Sequence, residues 1–293
     1  MSKSVTARRT GGELRQIVGV YDALSAKIAD RCAFDWLHVG GYNVAGSRFG
    51  LPDVGVVTFA EMLETVRIVT ASCSRPVLVD GDDGYGNYLN VIRMVREVER
   101  TGASGIHMED QVLPKKCGHM SGKRVVSVGA FIAKIKAFVD TRKRENFLLI
   151  ARTDAVAVLG FEAAIERGNR YLEAGADVIF VEAPTSLEQA ERIPKLIAGP
   201  VLYNWVYGGR SPLLDPKTLT DLGYSYYLQA DVLFAVSRLL EEYFGELKRS
   251  GTYGAMAARM HTFDRFNEIV GLADIMAAER RYEPSDASVM RTT

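Results

Sequence analysis

Gly105-Ile106-His107-Met108-Glu109-Asp110-Gln111-Val112-Leu113-Pro114-Lys115-Lys116-Cys117-Gly118-His119 is the stretch whose reading decides the fold. It opens as a short apolar run that suits a buried strand. It then turns abruptly into two carboxylates, two lysines, a thiol and an imidazole. Titratable groups are crowded in this way where a site uses them. A strand whose C-terminal end spills into such residues is the pattern of an α/β active site, in a (β/α)₈ barrel or in a doubly wound sheet.

Working outward, short apolar runs alternate with helix-length amphipathic segments. Strands are expected at 17–21, 36–40, 76–80, 105–109, 147–152, 177–182, 200–204 and 224–228. Helices are expected at 59–71, 88–101, 128–142, 161–174 and 187–197. Near-continuous apolar strands imply burial on both faces, hence a parallel sheet. Gly102, Gly175 and Gly223 each stand just before the next strand, where glycine supplies a left-handed helix C-cap. Eight β/α units in about 240 residues predict a (β/α)₈ (TIM) barrel, with the doubly wound sheet as the alternative. No linker or low-complexity stretch interrupts the chain, so 1–293 reads as one domain. Residues 243–282 read as helices beyond the eighth strand, within a C-terminal extension over 243–293.

The 293 residues carry 36 Lys+Arg and 36 Asp+Glu, so the formal net charge is zero. This balance argues against a nucleic-acid partner or an anionic membrane surface. No apolar run reaches the ~18 residues of a membrane span. Segment 1–12 is polar and basic without an apolar centre, so it reads as a partly ordered lead-in rather than a secretory signal. Cys32, Cys73 and Cys117 show no paired spacing, as expected in a reducing cytoplasm.

If the strand reading holds, polar residues gather at one mouth of the barrel. They are His38, Gly40, Gly41 and Tyr42; Asp80, Asp82 and Asp83; Glu109 and Asp110; Arg152, Thr153 and Asp154; Glu182; and Asn204. Helix capping accounts for single members of this set but not for buried Arg, Glu and Lys. Asp80-Gly81-Asp82-Asp83-Gly84-Tyr85-Gly86 places three carboxylates in a glycine-rich turn, which suits a hard divalent cation such as Mg²⁺, or else is a solvated acidic turn. It lacks the third glycine of a dinucleotide fingerprint, and no phosphate-cradling GxxxxGK[ST] loop occurs. Cys117 lies among Lys115, Lys116 and His119, and neighbouring cations are expected to lower its pKa. Such a thiol serves as proton donor or nucleophile, and Gly118 beside it suggests a loop that closes as a lid.

Lys115-Lys116-Cys117-Gly118-His119, with Glu109-Asp110-Gln111 before it, resembles the isocitrate lyase/phosphoenolpyruvate mutase superfamily. The resemblance runs from Val20-Tyr21-Asp22 through Gly50-Leu51-Pro52-Asp53, Ala151-Arg152-Thr153-Asp154 and Gly208-Gly209-Arg210 to Thr262-Phe263-Asp264-Arg265-Phe266. It is nearest to the C–C lyases of the 2-methylisocitrate, 2,3-dimethylmalate and petal-death type, a loop pattern that the carboxyphosphonoenolpyruvate mutases share. The resemblance implies a (β/α)₈ barrel whose last helices are exchanged between subunits, in a homotetramer of helix-swapped dimers. It implies Mg²⁺, with Mn²⁺ as an alternative, held directly by Asp80 and through water by Asp53, Asp82 and Glu109. It gives Arg152 the role of gripping a substrate carboxylate, Glu182 and Asn204 that of orienting the substrate, and Cys117 that of general acid, assisted by Lys115 and His119. Gly40, Gly41, Tyr42, Asp80, Gly118, Trp205 and Tyr207 would complete the substrate site.

The implied activity is retro-aldol cleavage of a 2-hydroxy di- or tricarboxylate to a 2-oxo acid and a carboxylate. The alternatives are oxaloacetate hydrolysis, a phosphonomutase reaction, or a catalytically silent binding protein. Four positions depart from the pattern: Gly40 replaces serine, His38 replaces Tyr or Phe, Asp83 replaces Thr, and Tyr207 replaces Glu. His38 is thereby a candidate base or hydrogen-bond donor. Tyr42, Trp205 and Tyr207 together predict a wide aromatic pocket for a bulkier substituent.

Overall fold

The computed structural model describes residues 13–283. The lead-in expected at 1–12 lies outside them. Eight strands form a closed, all-parallel barrel in sequential order. They are β1 (Arg15–Val20), β2 (Trp36–Val39), β3 (Val77–Asp80), β4 (Gly105–Glu109), β5 (Leu148–Thr153), β6 (Val178–Val181), β7 (Val201–Asn204) and β8 (Tyr226–Gln229). β8 closes on β1 through Ile17 opposite Leu228. The (β/α)₈ expectation is met and the doubly wound sheet is excluded.

The helices in chain order are α1 (Ala23–Arg31), α2 (Gly41–Val44), α3 (Phe59–Ser72), α4 (Tyr88–Arg100), α5 (Val128–Thr141), α6 (Val156–Leu159), α7 (Phe161–Glu173), α8 (Leu187–Leu196), α9 (Pro216–Leu222), α10 (Val232–Ser250), α11 (Phe263–Val270) and α12 (Leu272–Tyr282). Their starts follow from local chemistry. Asp22, Thr58 and Asn87 each cap their helix reciprocally with the residue three positions on. Asp215 caps α9 ahead of Pro216, whose fixed φ suits a first turn. The helix exits at Gly102, Gly175 and Gly223 are left-handed, with φ of 86°, 109° and 96°.

Strand periodicity divides the core in two. Ile17, Trp36, Leu78, Leu148, Ile150, Val178, Phe180, Leu202 and Leu228 plug the barrel. Alternate residues such as Leu37, Val39, Val79, Ile106, Leu149 and Tyr203 face the helices in the outer core. This two-residue alternation decides which strand-end side chains enter the mouth.

The chain resolves into two compact units, Met1–Ser237 and Arg238–Thr293. The first holds the barrel. The second comprises the end of α10, a short 3₁₀ turn at Gly254–Arg259, and α11 and α12. No helix among the described residues is long and apolar enough to cross a membrane.

Candidate active site

The C-terminal ends of the strands surround a cavity of about 230 Å³. Strand register brings its chemistry together. Asp80 stands opposite His107 between β3 and β4, and Glu109 opposite Arg152 between β4 and β5. His38, Gly40, Tyr42, Asp53, Asp80, Lys115, Cys117, Gly118, His119, Arg152, Glu182, Asn204 and Tyr207 all line the cavity. Sequence analysis had singled out each of them.

An acidic cluster lies on one side. Lys115 Nζ sits 2.7 Å from both Asp53 Oδ1 and Asp82 Oδ1, and all three side chains are buried. Asp80 accepts the backbone N–H groups of Gly41 at 2.9 Å and Asp82 at 3.0 Å. Burial opposes the Asp80 charge, but His107, Lys115, His38 and the Gly41 N–H outweigh it and hold the carboxyl well below its usual range. Burial pushes Asp82 up to about 7, with Asp80 and Asp53 adding repulsion and Lys115 opposing. For Lys115, burial disfavours the charge, yet Asp82, Asp80 and Asp53 prevail and keep the amine protonated.

Arg152 organises the opposite wall. Its guanidinium bonds Asp154 through Nε at 3.0 Å and Nη2 at 3.1 Å, and lies 3.3 Å from Glu109 Oε2. It also covers the Phe180 ring at 5.1 Å. Asp154 is anchored in turn by Lys123 Nζ at 2.7 Å. Lys123 also donates to the Gly118 carbonyl, tying the Cys-bearing loop to the wall. Sequence analysis did not single out Lys123. Its only signal is a lysine placed five residues beyond Gly118.

The loop is fixed at further points. Gln111 clamps Lys116, accepting from its N–H at 3.0 Å and donating to its carbonyl at 2.8 Å. The Cys117 N–H donates to the Asp53 carbonyl at 3.2 Å. His119 Nδ1 accepts from the Arg210 N–H at 2.9 Å. That bond places the ring proton of neutral His119 on Nε2, which lies 3.4 Å from Glu182 Oε1. Asn204 Nδ2 stands 3.2 Å from Glu182 Oε2.

Cys117 departs from expectation. Burial raises its pKa, Glu182 and Asp53 add to the rise, and the His119 N–H and Arg152 only partly oppose it. The two lysines that flank it in sequence do not face it. Lys115 is spent on the aspartates, and Lys116 reaches the Ser121 carbonyl. The group at the cavity wall is therefore a thiol, which fits a proton donor better than a nucleophile.

Three further expectations are corrected by strand parity. Glu109 points into the barrel, so Asp110 points out. It is fully buried against Thr153 Oγ1, Arg167 Nη1 and Tyr171 OH at 2.8–2.9 Å. Thr153 is turned outward with it. Asn204 points in, so Trp205 packs against the outer core instead of lining the cavity. The aromatic wall is thus Tyr42, edge-on to Phe234 at 5.9 Å, together with Tyr207 at the rim. Asp83 bonds Lys134 on α5 rather than facing the cavity. His38 as a base is also disfavoured: burial, then His107, lower its pKa to about 3.

Among the described residues, no three Asp, Glu, His or Cys side chains form a ready metal cage. The Lys115 ammonium lies between the carboxylates that would otherwise converge. The donor set still fits a divalent cation. Asp53, Asp80 and Asp82 surround a single ammonium, so carboxyl groups outnumber the cation there. Glu109 Oε1 is buried with no hydrogen-bond partner. Such an oxygen suits a water retained by Mg²⁺.

Comparison with known proteins gives the family. The family model described as phosphoenolpyruvate phosphomutase matches residues 7–236. The chain belongs to the phosphoenolpyruvate phosphomutase family. It is an enzyme of the wider isocitrate lyase/phosphoenolpyruvate mutase superfamily that the Cys117 loop resembles. It is 41% identical to 2,3-dimethylmalate lyase of Eubacterium barkeri over 265 residues, covering 90% of this chain and 92% of that one. It is 38% identical to 2-methylisocitrate lyase of Aeropyrum pernix over 283 residues, covering 95% and 89%. Among solved structures, oxaloacetate acetylhydrolase in complex with 3,3-difluorooxalacetate superposes with a TM-score of 0.87 at 35% identity, covering 92% of each chain.

Proposed function

We propose that this family member is a Mg²⁺-dependent C–C lyase that cleaves a 2-hydroxy di- or tricarboxylate of the malate or methylisocitrate type. The observation that carries this reading is a protonated Cys117 thiol at the wall of a cavity that also presents Arg152 and Glu182. Asp80 would hold the metal, with Asp53, Asp82 and Glu109 holding its waters. A bound Mg²⁺ would supply Lewis acidity that makes the hydroxyl of a 2-hydroxy carboxylate more acidic.

The chain's own residues do the rest. Arg152, preset by Asp154, pairs with the distal carboxylate and stabilises the negative charge that builds there as the C2–C3 bond breaks. The Glu182 carboxylate at the cavity wall takes the 2-hydroxyl proton as electrons from the C2–C3 bond pass to C3, giving the enediolate of a carboxylate, while C2 becomes the carbonyl of a 2-oxo acid. Cys117 then delivers its proton to C3. His119, Glu182 and Asn204 form a connected polar wall that orients the substrate. Tyr42 and Tyr207 contact the C3 substituent.

The likeness to an oxaloacetate acetylhydrolase favours a second reading, hydrolysis of oxaloacetate at the same site. Incubation with Mg²⁺ and a panel of 2-hydroxy di- and tricarboxylates, oxaloacetate and phosphonopyruvate, followed by product mass analysis, separates the readings. A 2-oxo acid with an equimolar carboxylate supports the lyase. Oxalate with acetate from oxaloacetate alone, or a rearranged phosphonate, refutes it. The same family reading supports a helix-exchanged tetramer in the cytoplasm. Phe263, Ile275 and Tyr282 are 81%, 67% and 79% exposed on the single chain, which is consistent with a further apolar interface.

A further inference from the structure

His38 and His107 project inward from β2 and β4 and meet beneath the cavity. Their Nε2 atoms are 2.9 Å apart, their ring centroids 5.0 Å apart, and both side chains are buried. One Nε2 must carry a hydrogen and the other accept it. His107 Nε2 also lies 3.7 Å from Asp80 Oδ1. The negative carboxylate favours the hydrogen on His107 Nε2. His38 Nε2 then accepts, and the remaining proton of neutral His38 sits on Nδ1.

His38 Nδ1 is buried and has no partner in the protein. An N–H in that condition is costly unless something else accepts from it. The ring edge that carries it faces Gly40: a Cβ there would lie 2.8 Å from His38 Cε1 and 3.2 Å from Nδ1. Gly40 has ordinary extended backbone, φ −97° and ψ 142°, so no conformational demand explains the glycine. The space does. Both residues line the cavity, while the neighbouring Gly41 N–H is already committed to Asp80.

We infer that His38 is a substrate-contacting residue whose Nδ1–H donates to a carboxylate or carbonyl oxygen of the 2-oxo acid portion, at the stretch of cavity wall that His38 shares with Gly40. His107 is a positioning residue: with Asp80 it fixes the His38 tautomer. This rests on the lyase reading only for the substrate's class, and it accounts for why His38 is useful while being a poor base.

The test uses oxalate as the probe, titrated calorimetrically into the Mg²⁺-loaded protein. His38→Asn can place an amide N–H near Nδ1, whereas His38→Gln reproduces only the Nε2 end. His38→Phe and His38→Gln should each weaken oxalate binding by about tenfold or more, and His38→Asn by less than about threefold. Gly40→Ala should weaken it comparably by displacing the ring. Wild-type affinity in His38→Phe, or retention by Gln but not Asn, overturns the inference. Nitrogen-15 spectra of the wild type need no variant to fold, and the chain has only four histidines. His38 should appear as the Nδ1–H tautomer, with the Nδ1 resonance shifting on addition of oxalate. An Nε2–H tautomer, or no shift, overturns the inference. His107→Gln should move His38 off the Nδ1–H form, which loss of packing alone does not do, and an unchanged tautomer refutes the positioning role. Neither readout needs turnover, so failure of the lyase reading in the product assay is a separate result.

Discussion

The ammonium of Lys115, two residues before Cys117, stands 2.7 Å from Oδ1 of Asp82. A loop residue thus supplies the counter-charge for the cluster that would hold the metal, and seating of the loop is coupled to the charge of that cluster. Lys115→Met leaves Asp53 and Asp82 buried without that partner. Breaking a buried ion pair from one side costs about 3–5 kcal/mol. Denaturant titrations without divalent ions should show a loss of this order, and millimolar Mg²⁺ should recover more stability in the variant than in the wild type. Equal Mg²⁺ effects on both proteins would refute the coupling.

Asp82 predicts a pH dependence. Its folded pKa, about 7, is above the ordinary 3.8. In the metal-free protein the fold therefore binds a proton that the unfolded chain has released, and stability falls as pH rises from about 4 to about 7, with no further loss above. A cation must displace that proton. Mg²⁺ affinity should rise by about tenfold between pH 6 and pH 8, with proton uptake by buffer on binding at the lower pH. Calorimetry in two buffers of different ionisation enthalpy measures both, and a flat affinity contradicts the assignment.

Gly118 tests the seated loop. A Cβ at this position would lie 1.8 Å from Glu182 Oε1 and 2.5 Å from Arg152 Nη2. No rotamer of the added methyl relieves this, so Gly118→Ala should keep the loop from seating. Turnover should fall by about 10²-fold or more while the barrel is spared, because misplacement by an ångström is costly to catalysis. Thermal unfolding within a few degrees of wild type, with kcat lost, is the expected pair of results.

Asp110 lies outside the cavity, and its substitution should have the opposite profile. Asp110→Ala strands Arg167 and the Tyr171 hydroxyl in the layer between barrel and helices, at a cost of about 3–5 kcal/mol. Urea denaturation should register that loss, while the variant folded at low temperature keeps KM within a few-fold of wild type. A selective rise in KM with unchanged stability would place Asp110 in the site.

The barrel was legible in the sequence because apolar strands, glycine exits and helical periodicity all repeat along the chain. Strand limits moved where polar residues open a strand, as with Arg15 and Gln16 of β1. Of the short helices, α1 and α9 were announced only by caps, Asp22 with Ser25 and Asp215 with Pro216. The site was legible as a set of residue types, but which of them face the cavity is decided by strand parity, which turns Asp110, Thr153 and Trp205 outward. The state of Cys117 was not legible, since sequence neighbours such as Lys115 and Lys116 point elsewhere and burial decides. The His38–His107 pair joins positions 69 residues apart, and no local pattern reports such a contact.

The claim that Cys117 protonates the carbanion left by C2–C3 cleavage is tested most directly by turnover in D₂O of whichever 2-hydroxy acid the product panel identifies. The carboxylate product should carry one deuterium at the former C3, on a single face. Cys117→Ala should lower kcat by about 10²–10⁴-fold. Because burial raises the thiol pKa, wild-type kcat should hold through neutral pH and fall only as pH rises beyond the ordinary thiol value of 9.0. Product without deuterium, deuterium on both faces, or undiminished turnover in Cys117→Ala would contradict the account.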